Sequence, residues 1–106
     1  MFRQGDVLLI PTTTTPNKTR KVARENGMVI LAHGEATGHH HAIKHRNVQL
    51  VTSEQANELR MWLTVGSAGP VALTHQEHAT IMVPPGSYEV RRQREYHPAE
   101  IRNVAD

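Results

Sequence analysis

The feature that most constrains the fold is a series of short apolar segments, each closed by glycine, proline or asparagine. Segments of this kind, separated by turn residues, are typical of β-strands. The pattern predicts strands over residues 6–10, 28–32, 39–45, 48–52, 59–65, 71–74, 80–83 and 88–92. Many short strands with frequent turns predict an all-β fold, a small antiparallel β-barrel or sandwich.

The segments between these strands are read from their turn and capping residues. Residues 12–26 are rich in Thr, Lys and Arg and predict a long connection. Ser53 predicts the cap of one helical turn over residues 53–58. Pro98 stands where a short C-terminal helix would begin. With 106 residues the chain has the length to bury one core, so we expect residues 1–106 to form a single β domain.

Composition narrows the classes of chemistry. The chain has no cysteine, which excludes disulfides, zinc ribbons, iron–sulfur clusters and thiol catalysis. Hydrophobic residues make up 38% and charged residues 21%, as in globular proteins. No apolar run approaches the ~20 residues of a membrane span, and the N-terminal sequence does not resemble a signal peptide. We therefore expect a cytoplasmic protein without a membrane partner.

Histidine is the residue in excess: the chain has eight, of which seven lie in residues 33–45 and 75–78. On a strand, His39 and His41 share a face with Cβ atoms ~6.6 Å apart. Two imidazoles so placed can lean toward one ion at Zn–N distances of about 2.0–2.1 Å. His75 and His78, three residues apart, can converge in a turn. We predict these four histidines as metal ligands.

The polar residues next to these four histidines are assigned supporting or catalytic roles, or none. His40 faces the opposite side of its strand and is not expected to be a ligand, whereas His45 is a candidate to support one. Glu35 and Glu77 are candidate catalytic residues that complete the metal shell, orient an imidazole or act as a base. The alternative for the whole run is a solvated histidine-rich surface that binds metal adventitiously.

Two motifs carry a family resemblance. Gly34 precedes the pair His39-x-His41, and Pro84-x-Gly86 follows about forty residues later. In this arrangement the segment 34–89 resembles the cupin superfamily of small β-barrels. The resemblance implies a metal held on the inner face of a barrel, and it identifies no substrate.

The sequence departs from that family at three positions. His45 stands where the cupin motif has an acidic ligand, Glu89 where it has a histidine, and Gln93 where it has an asparagine. His75 and His78 have no counterpart in the two motifs. If they are ligands, the barrel is of a different kind.

The nitrogen-rich ligand set predicts a divalent metal, with Zn²⁺ first and Mn²⁺, Fe²⁺ or Ni²⁺ as alternatives. Three histidines plus water form an open site that lowers the pKa of the water to about 7. This predicts a metal-hydroxide enzyme acting on a small electrophile, by carbonic-anhydrase-like hydration or by hydrolysis. Tyr88 is a candidate hydrogen-bond donor to the substrate. An arginine that faces the inside of the barrel is a candidate to hold an anion, either Arg91 on one strand face or Arg92 and Arg94 on the other. Four protein ligands would instead give a metal-stabilised, non-enzymatic binding module.

A third possibility rests on basic residues. Lys18, Arg20, Lys21 and Arg24 form a basic loop that fits a binder of single-stranded nucleic acid. A second basic cluster consists of Arg91, Arg92 and Arg94. Such binding normally uses aromatic stacking platforms as well, and the chain has only four aromatic residues, so nucleic acid is not the expected partner. We predict that Trp62 is exposed or at an interface. A homodimer or homotrimer would cover it together with residues 98–104, and a metal bridging two subunits stays open.

Overall fold

The computed structural model describes residues 1–34 and 38–93. Its strands in that part of the chain are β1 Phe2–Gln4, β2 Val7–Pro11, β3 Arg20–Lys21, β4 Val29–His33, β5 His40–Ile43, β6 Val48–Gln55, β7 Glu58–Val65, β8 Val71–Leu73, β9 Ile81–Val83 and β10 Gly86–Arg92. No α-helix occurs among these residues, so the predicted all-β class is confirmed. The predicted C-terminal helix lies outside the described residues.

The strands form one large sheet and two small ones. The large sheet has the order β1-β2-β10-β7-β6-β3, and the two-stranded sheets are β4-β5 and β8-β9. Every described pairing is antiparallel. A single bridge between Ala42 and Thr74 joins the two small sheets. The topology thereby places the end of β8 beside β5, which positions the site described below.

Two strands were not predicted from the sequence. β1 is only three residues long and pairs with β2 through a tight turn, with Gln4 opposite Val7 and Gly5 at a φ of 58°. β3 lies inside the predicted connection 12–26 and pairs Arg20 with Thr52. Neither strand has the apolar alternation that marks a half-buried strand in a sequence.

The helical turn predicted at residues 53–58 is wrong. β6 continues to Gln55, and a two-residue turn at Ala56 and Asn57 leads directly into β7. Both turn residues have positive φ, 52° and 66°, which is the backbone of a type I′ hairpin and matches the twist of paired strands. Ser53 is buried in β6 and its hydroxyl accepts a hydrogen bond from Gln55.

The core lies between the large sheet and the two small ones. Its buried members include Leu9, Ile43, Leu63 and Leu73. Trp62 is only 6% exposed, and the guanidinium carbon of Arg60 lies 5.8 Å from its ring centre. The prediction that Trp62 is exposed or at an interface is therefore wrong, because the single chain already buries it.

None of the described residues forms a helix long and apolar enough to cross a lipid bilayer.

Candidate histidine site

The four histidines predicted as ligands meet at one place. The ring centre of His75 lies 4.3 Å from that of His41, 4.7 Å from that of His78 and 5.7 Å from that of His39. The rings of His41 and His78 are 6.0 Å apart and nearly parallel. Two segments more than thirty residues apart in the sequence thus form one histidine cluster, with His75 in contact with the other three rings.

Backbone pairing brings these segments together. The Ala42 N–H donates to the Thr74 carbonyl at 3.0 Å, and the Thr74 N–H donates back to the Ala42 carbonyl at 2.9 Å. Each bonded residue lies next to a histidine of the cluster, because His41 precedes Ala42 and His75 follows Thr74. The position of these two side chains is therefore fixed by the fold and not by a flexible loop alone.

The cluster lines an open cleft of about 560 Å³. Its lining includes the four histidines and the polar or charged side chains that surround them, together with two glycines: Gly5, Asp6, Gly34, His39, His41, His75, Glu77, His78, Arg92 and Gln93. The cleft is open to solvent on one side and bounded by the buried His41 on the other. It has the size of a small-molecule site.

Gln4 determines which nitrogen of His41 carries the proton. The Gln4 Nε2 donates to the carbonyls of Leu73 at 2.8 Å and Ala79 at 3.0 Å, which fixes the orientation of the amide. Its Oε1 then faces His41 Nδ1 at 2.8 Å. Because an amide oxygen only accepts, Nδ1 must carry the hydrogen. In the neutral ring the lone pair is therefore on Nε2.

His41 is held in its neutral form. It is 3% exposed, and burial lowers its pKa to about 4, with repulsion from His75 adding to the effect and Asp6 opposing it. Asp6 Oδ1 lies 3.8 Å from His41 Nε2, beyond hydrogen-bond distance. Asp6 itself accepts from Arg92 Nε at 3.0 Å and Nη2 at 2.8 Å. Burial alone would raise the pKa of Asp6, but Arg92 lowers it overall.

His75 has the opposite arrangement. Its Nδ1 accepts backbone N–H groups from Glu77 at 3.0 Å and His78 at 3.3 Å, so this nitrogen holds a lone pair. The neutral ring therefore carries its proton on Nε2. Burial, followed by repulsion from His78 and His39, lowers the pKa of His75. The ring stabilises the turn that it belongs to and presents an N–H group at its other nitrogen.

Glu77 is the predicted carboxylate that the fold brings to the cluster. Its Oε1 lies 2.7 Å from His39 Nδ1, so in a neutral His39 the Nδ1 hydrogen is donated to the carboxylate. The lone pair of His39 is then on Nε2, as in His41. This contact matches one of the roles predicted for Glu77, the orientation of an imidazole.

Other predicted site residues lie elsewhere. The Tyr88 hydroxyl donates to the Pro84 carbonyl at 2.7 Å, and its ring packs edge-on against Phe2 in the core. Burial raises the pKa of Tyr88. The structure therefore gives Tyr88 a place in the β9–β10 turn and the core, and it is not among the residues that line the cleft. Glu35 and Arg94 lie outside the described residues.

The remaining histidines make separate contacts. His45 is exposed and its Nδ1 accepts the Asn47 N–H in the turn after β5. His33 pairs with Glu25 at 3.2 Å on the surface. The His40 N–H donates to the Gln76 side chain at 2.8 Å, and its ring is 6.2 Å from that of His33. None of these three rings lines the cleft.

Sequence reasoning missed the contribution of the first six residues. Gln4 and Asp6 flank Gly5 and reach His41 from β1 and the turn after it. Gly5 allows close approach of His78, because a Cβ at this position would lie 2.6 Å from His78 Nε2. The sequence signals this contribution only through a polar–Gly–polar triplet before an apolar strand. Such a triplet is equally typical of an ordinary turn.

A metal would have to draw the cluster together. Among residues 1–34 and 38–93, no three His, Asp or Glu side chains are already arranged to hold a metal ion. The centres of two imidazoles on one tetrahedral Zn²⁺ lie roughly 5 Å apart, given Zn–N distances of about 2.0–2.1 Å. The ring separations of 4.3–6.0 Å in the cluster bracket that value. The rings thus lie at separations comparable to those around a metal, although their nitrogen atoms do not yet converge on one point.

We predict that Gly5→Ala displaces the His78 side chain and lowers stability only modestly. Both Gly5 and Gly27 have positive φ, 58° and 77°, but only at Gly5 does an added Cβ meet another residue, His78. Each substitution should cost about 1–2 kcal/mol of unfolding free energy from the backbone conformation. Because His78 is exposed and able to swing away, Gly5→Ala should also shift the His78 NMR signals, whereas Gly27→Ala should leave them unchanged. Unchanged His78 signals in Gly5→Ala would contradict this contact.

We also predict a pH dependence of stability for the metal-free protein. His41 has a pKa of about 4 when folded and about 6.5 when unfolded. The unfolded chain therefore binds the extra proton first, and stability falls as the pH drops from about 6.5 toward 4, by about 3 kcal/mol in total. Urea unfolding at pH 7 and pH 4.5, with chelator, should show a smaller loss for His41→Gln than for His45→Gln. Equal losses in the two variants would contradict the assignment.

Comparison with known proteins identifies a family but no characterised relative. Residues 3–93 match the family model described as a Domain of unknown function (DUF8820). The match begins within β1, extends beyond the end of β10 and includes every residue of the histidine cluster. No curated protein and no solved structure matches the chain significantly.

Proposed function

Because the chain belongs to the DUF8820 family, a domain of unknown function, its role has to be inferred from the site, and we propose that the histidine cluster binds a divalent metal. The observation that carries the proposal is the meeting of four imidazoles at ring separations of 4.3–6.0 Å on the wall of one cleft. Histidines that were merely solvated would not gather from the β5 segment and the β8–β9 turn, since their like charges repel when protonated.

The hydrogen bonds around the cluster support a ligand role. Metal-bound histidines commonly donate their second nitrogen to a carboxylate, a carbonyl or another acceptor, which fixes the ring. His41 donates Nδ1–H to Gln4, and His39 lies in the same way against Glu77. Both rings are left with Nε2 as the free Lewis base. The lowered pKa of His41 keeps that nitrogen unprotonated at neutral pH.

Zn²⁺ is the ion we propose first, since nitrogen ligands suit it well, and Mn²⁺, Fe²⁺ and Ni²⁺ are the alternatives. A bound Zn²⁺ supplies a Lewis acid that makes coordinated water acidic, with a pKa of about 7. The open cleft admits water and a small substrate. Glu77, at the rim beside His39, is placed to exchange protons with solvent. These features support hydration or hydrolysis of a small electrophile as the reaction class, with CO₂ hydration as the simplest case.

Two of the basic residues have partners within the fold, which weakens the case for nucleic-acid binding. Arg24 donates to the carbonyls of His45 and Val48, both at 2.9 Å, and Arg91 lies 3.5 Å from Glu89. These guanidinium groups therefore support turns and the sheet. A metal-stabilised binding module stays the second candidate, because it would use the same histidines.

The proposal is tested by the metal content of protein prepared without an affinity tag. Dialysis against Zn²⁺ should leave close to one metal per chain in the wild-type protein and in the control double variant His33→Ala/His45→Ala. The site variant His39→Ala/His41→Ala should retain little. Equal retention by both double variants, or none by the wild-type protein, would contradict the proposal.

Activity assays then separate the two candidate roles. We expect the metal-loaded protein to accelerate CO₂ hydration or p-nitrophenyl ester hydrolysis, and chelation should abolish the rate. A stoichiometric metal without a rate in either assay would instead assign the site to the structural role.

A further inference from the structure

The two closest rings of the cluster are held in opposite tautomers. His41 carries its proton on Nδ1, where Gln4 accepts it, and has its lone pair on Nε2. His75 has its lone pair on Nδ1, where the turn N–H groups donate to it, and carries its proton on Nε2. Each tautomer is set by a group whose hydrogen-bonding direction is fixed, an amide oxygen in one case and backbone amides in the other. The cleft therefore has an electron-pair donor next to a proton donor.

The Nε2 atoms of His41 and His75 have different chemical roles. An imidazole binds a metal through a nitrogen that carries a lone pair. His41 Nε2 is such a nitrogen. His75 Nε2 carries a hydrogen, and releasing it while Nδ1 still accepts the turn amides would require an imidazolate. His75 would have to leave its turn in order to bind a metal.

We propose, building on the proposed metal site, that His41 is a metal ligand and that His75 is not, its Nε2–H instead binding the anionic oxygen ligand that the site takes. The ring centres are 4.3 Å apart, so a ligand bound beside His41 lies close to the His75 ring. An N–H donor favours a carboxylate, bicarbonate or hydroxide oxygen over a neutral ligand. The substrate class assigned to the cleft is therefore a small oxyanion, or a neutral molecule that hydration or hydrolysis converts into an oxyanion.

The chain offers a matched pair of variants that preserve each local hydrogen bond. In His41→Asn the new amide N–H can still donate to Gln4, but the Nε2 ligand is lost. In His75→Asn the new amide oxygen can still accept the turn N–H groups, as in an Asx turn, but the Nε2–H donor is lost. Co²⁺ serves as the metal probe and acetate as the oxyanion probe, both followed by the visible absorption of the Co²⁺ protein.

The expected results differ between the two variants. His41→Asn should weaken Co²⁺ binding by more than the roughly 10–100-fold that loss of an outer hydrogen-bond partner costs. His75→Asn should bind Co²⁺ with an affinity within about threefold of wild type, but acetate roughly tenfold more weakly, as expected for one hydrogen bond to a charged group. A loss of Co²⁺ in His75→Asn as large as in His41→Asn would overturn the proposal, and so would unchanged acetate affinity.

A measurement without metal separates this inference from the proposed function. Long-range ¹H–¹⁵N correlation spectra of the metal-free protein at pH 7 should show the Nδ1–H tautomer for His41 and the Nε2–H tautomer for His75. The reverse assignment for His75 would overturn the inference even if the protein binds metal. Failure of the wild-type protein to bind Co²⁺ at all would instead overturn the metal site, whatever the tautomers.

Discussion

Zn²⁺ at about one hundred times its dissociation constant should raise the free energy of unfolding by about 2.7 kcal/mol. The reason is linkage: the folded chain gathers imidazoles from β5 and from the β8–β9 turn, and the unfolded chain does not. For a chain of this size the gain corresponds to a rise in Tm of roughly 10–20 °C. Differential scanning calorimetry with and without Zn²⁺ measures it.

A matched variant pair shows whether the effect belongs to the cluster. His39→Ala/His41→Ala should lose most of the Zn²⁺-dependent shift in Tm. His33→Ala/His45→Ala removes the same number of imidazoles from positions that do not line the cleft and should keep it. An equal shift in both double variants would show that Zn²⁺ binds elsewhere on the chain.

Gln4→Met should destabilise the protein by about 3 kcal/mol. The Gln4 side chain is buried and makes three hydrogen bonds, to the carbonyls of Leu73 and Ala79 and to His41 Nδ1. Methionine has a similar volume but cannot replace them. Each buried group left without a partner costs roughly 1–3 kcal/mol, and the partly buried Ala79 carbonyl can recover a bond to water. Equilibrium urea unfolding at pH 7 measures the loss.

The same substitution tests the role of Gln4 in the site. Without its amide oxygen, the Nδ1–H tautomer of His41 is no longer favoured, so the ¹⁵N spectrum of His41 should show a mixture of tautomers. Gln49→Met, on the exposed side of β6, should change stability by less than about 0.5 kcal/mol and leave His41 unaffected. A single unchanged His41 tautomer in Gln4→Met would contradict this role.

Much of the fold was predictable because turns and apolar runs are local signals. The strands β2, β4, β6 and β10 lie close to segments predicted from alternation and turn residues. The hairpin at Ala56 and Asn57 was not predicted, because a serine followed by polar residues is equally typical of a helix start. There the pairing of eight residues along β6 and β7 outweighs the local preference.

The site was predictable as a set of residues but not as a network. The i, i+2 spacing of His39 and His41 and the short His75–His78 segment are visible in the sequence, and the structure brings all four rings together. The tautomer of His41 depends on Gln4, which is far away in sequence and belongs to a strand without a sequence signal. Hydrogen bonds between distant strands leave no local pattern, so only the folded chain reveals them.

The predicted cupin resemblance and the expected cytoplasmic location stay predictions. The same holds for a homo-oligomer, although the burial of Trp62 within one chain removes the reason first given for it. The arrangement of hydrogen bonds around His41 and His75 does not depend on any of the three.

X-ray absorption at the zinc edge, on protein loaded with one equivalent of Zn²⁺, tests most directly whether imidazoles of the histidine cluster share a cation. The account predicts a shell of nitrogen and oxygen at about 2.0–2.1 Å, with the outer scattering of at least two imidazoles. In His41→Asn the imidazole count should fall by one, while in His75→Asn it should not change. A shell of oxygen alone, or of a single imidazole, in the wild-type protein would contradict the account.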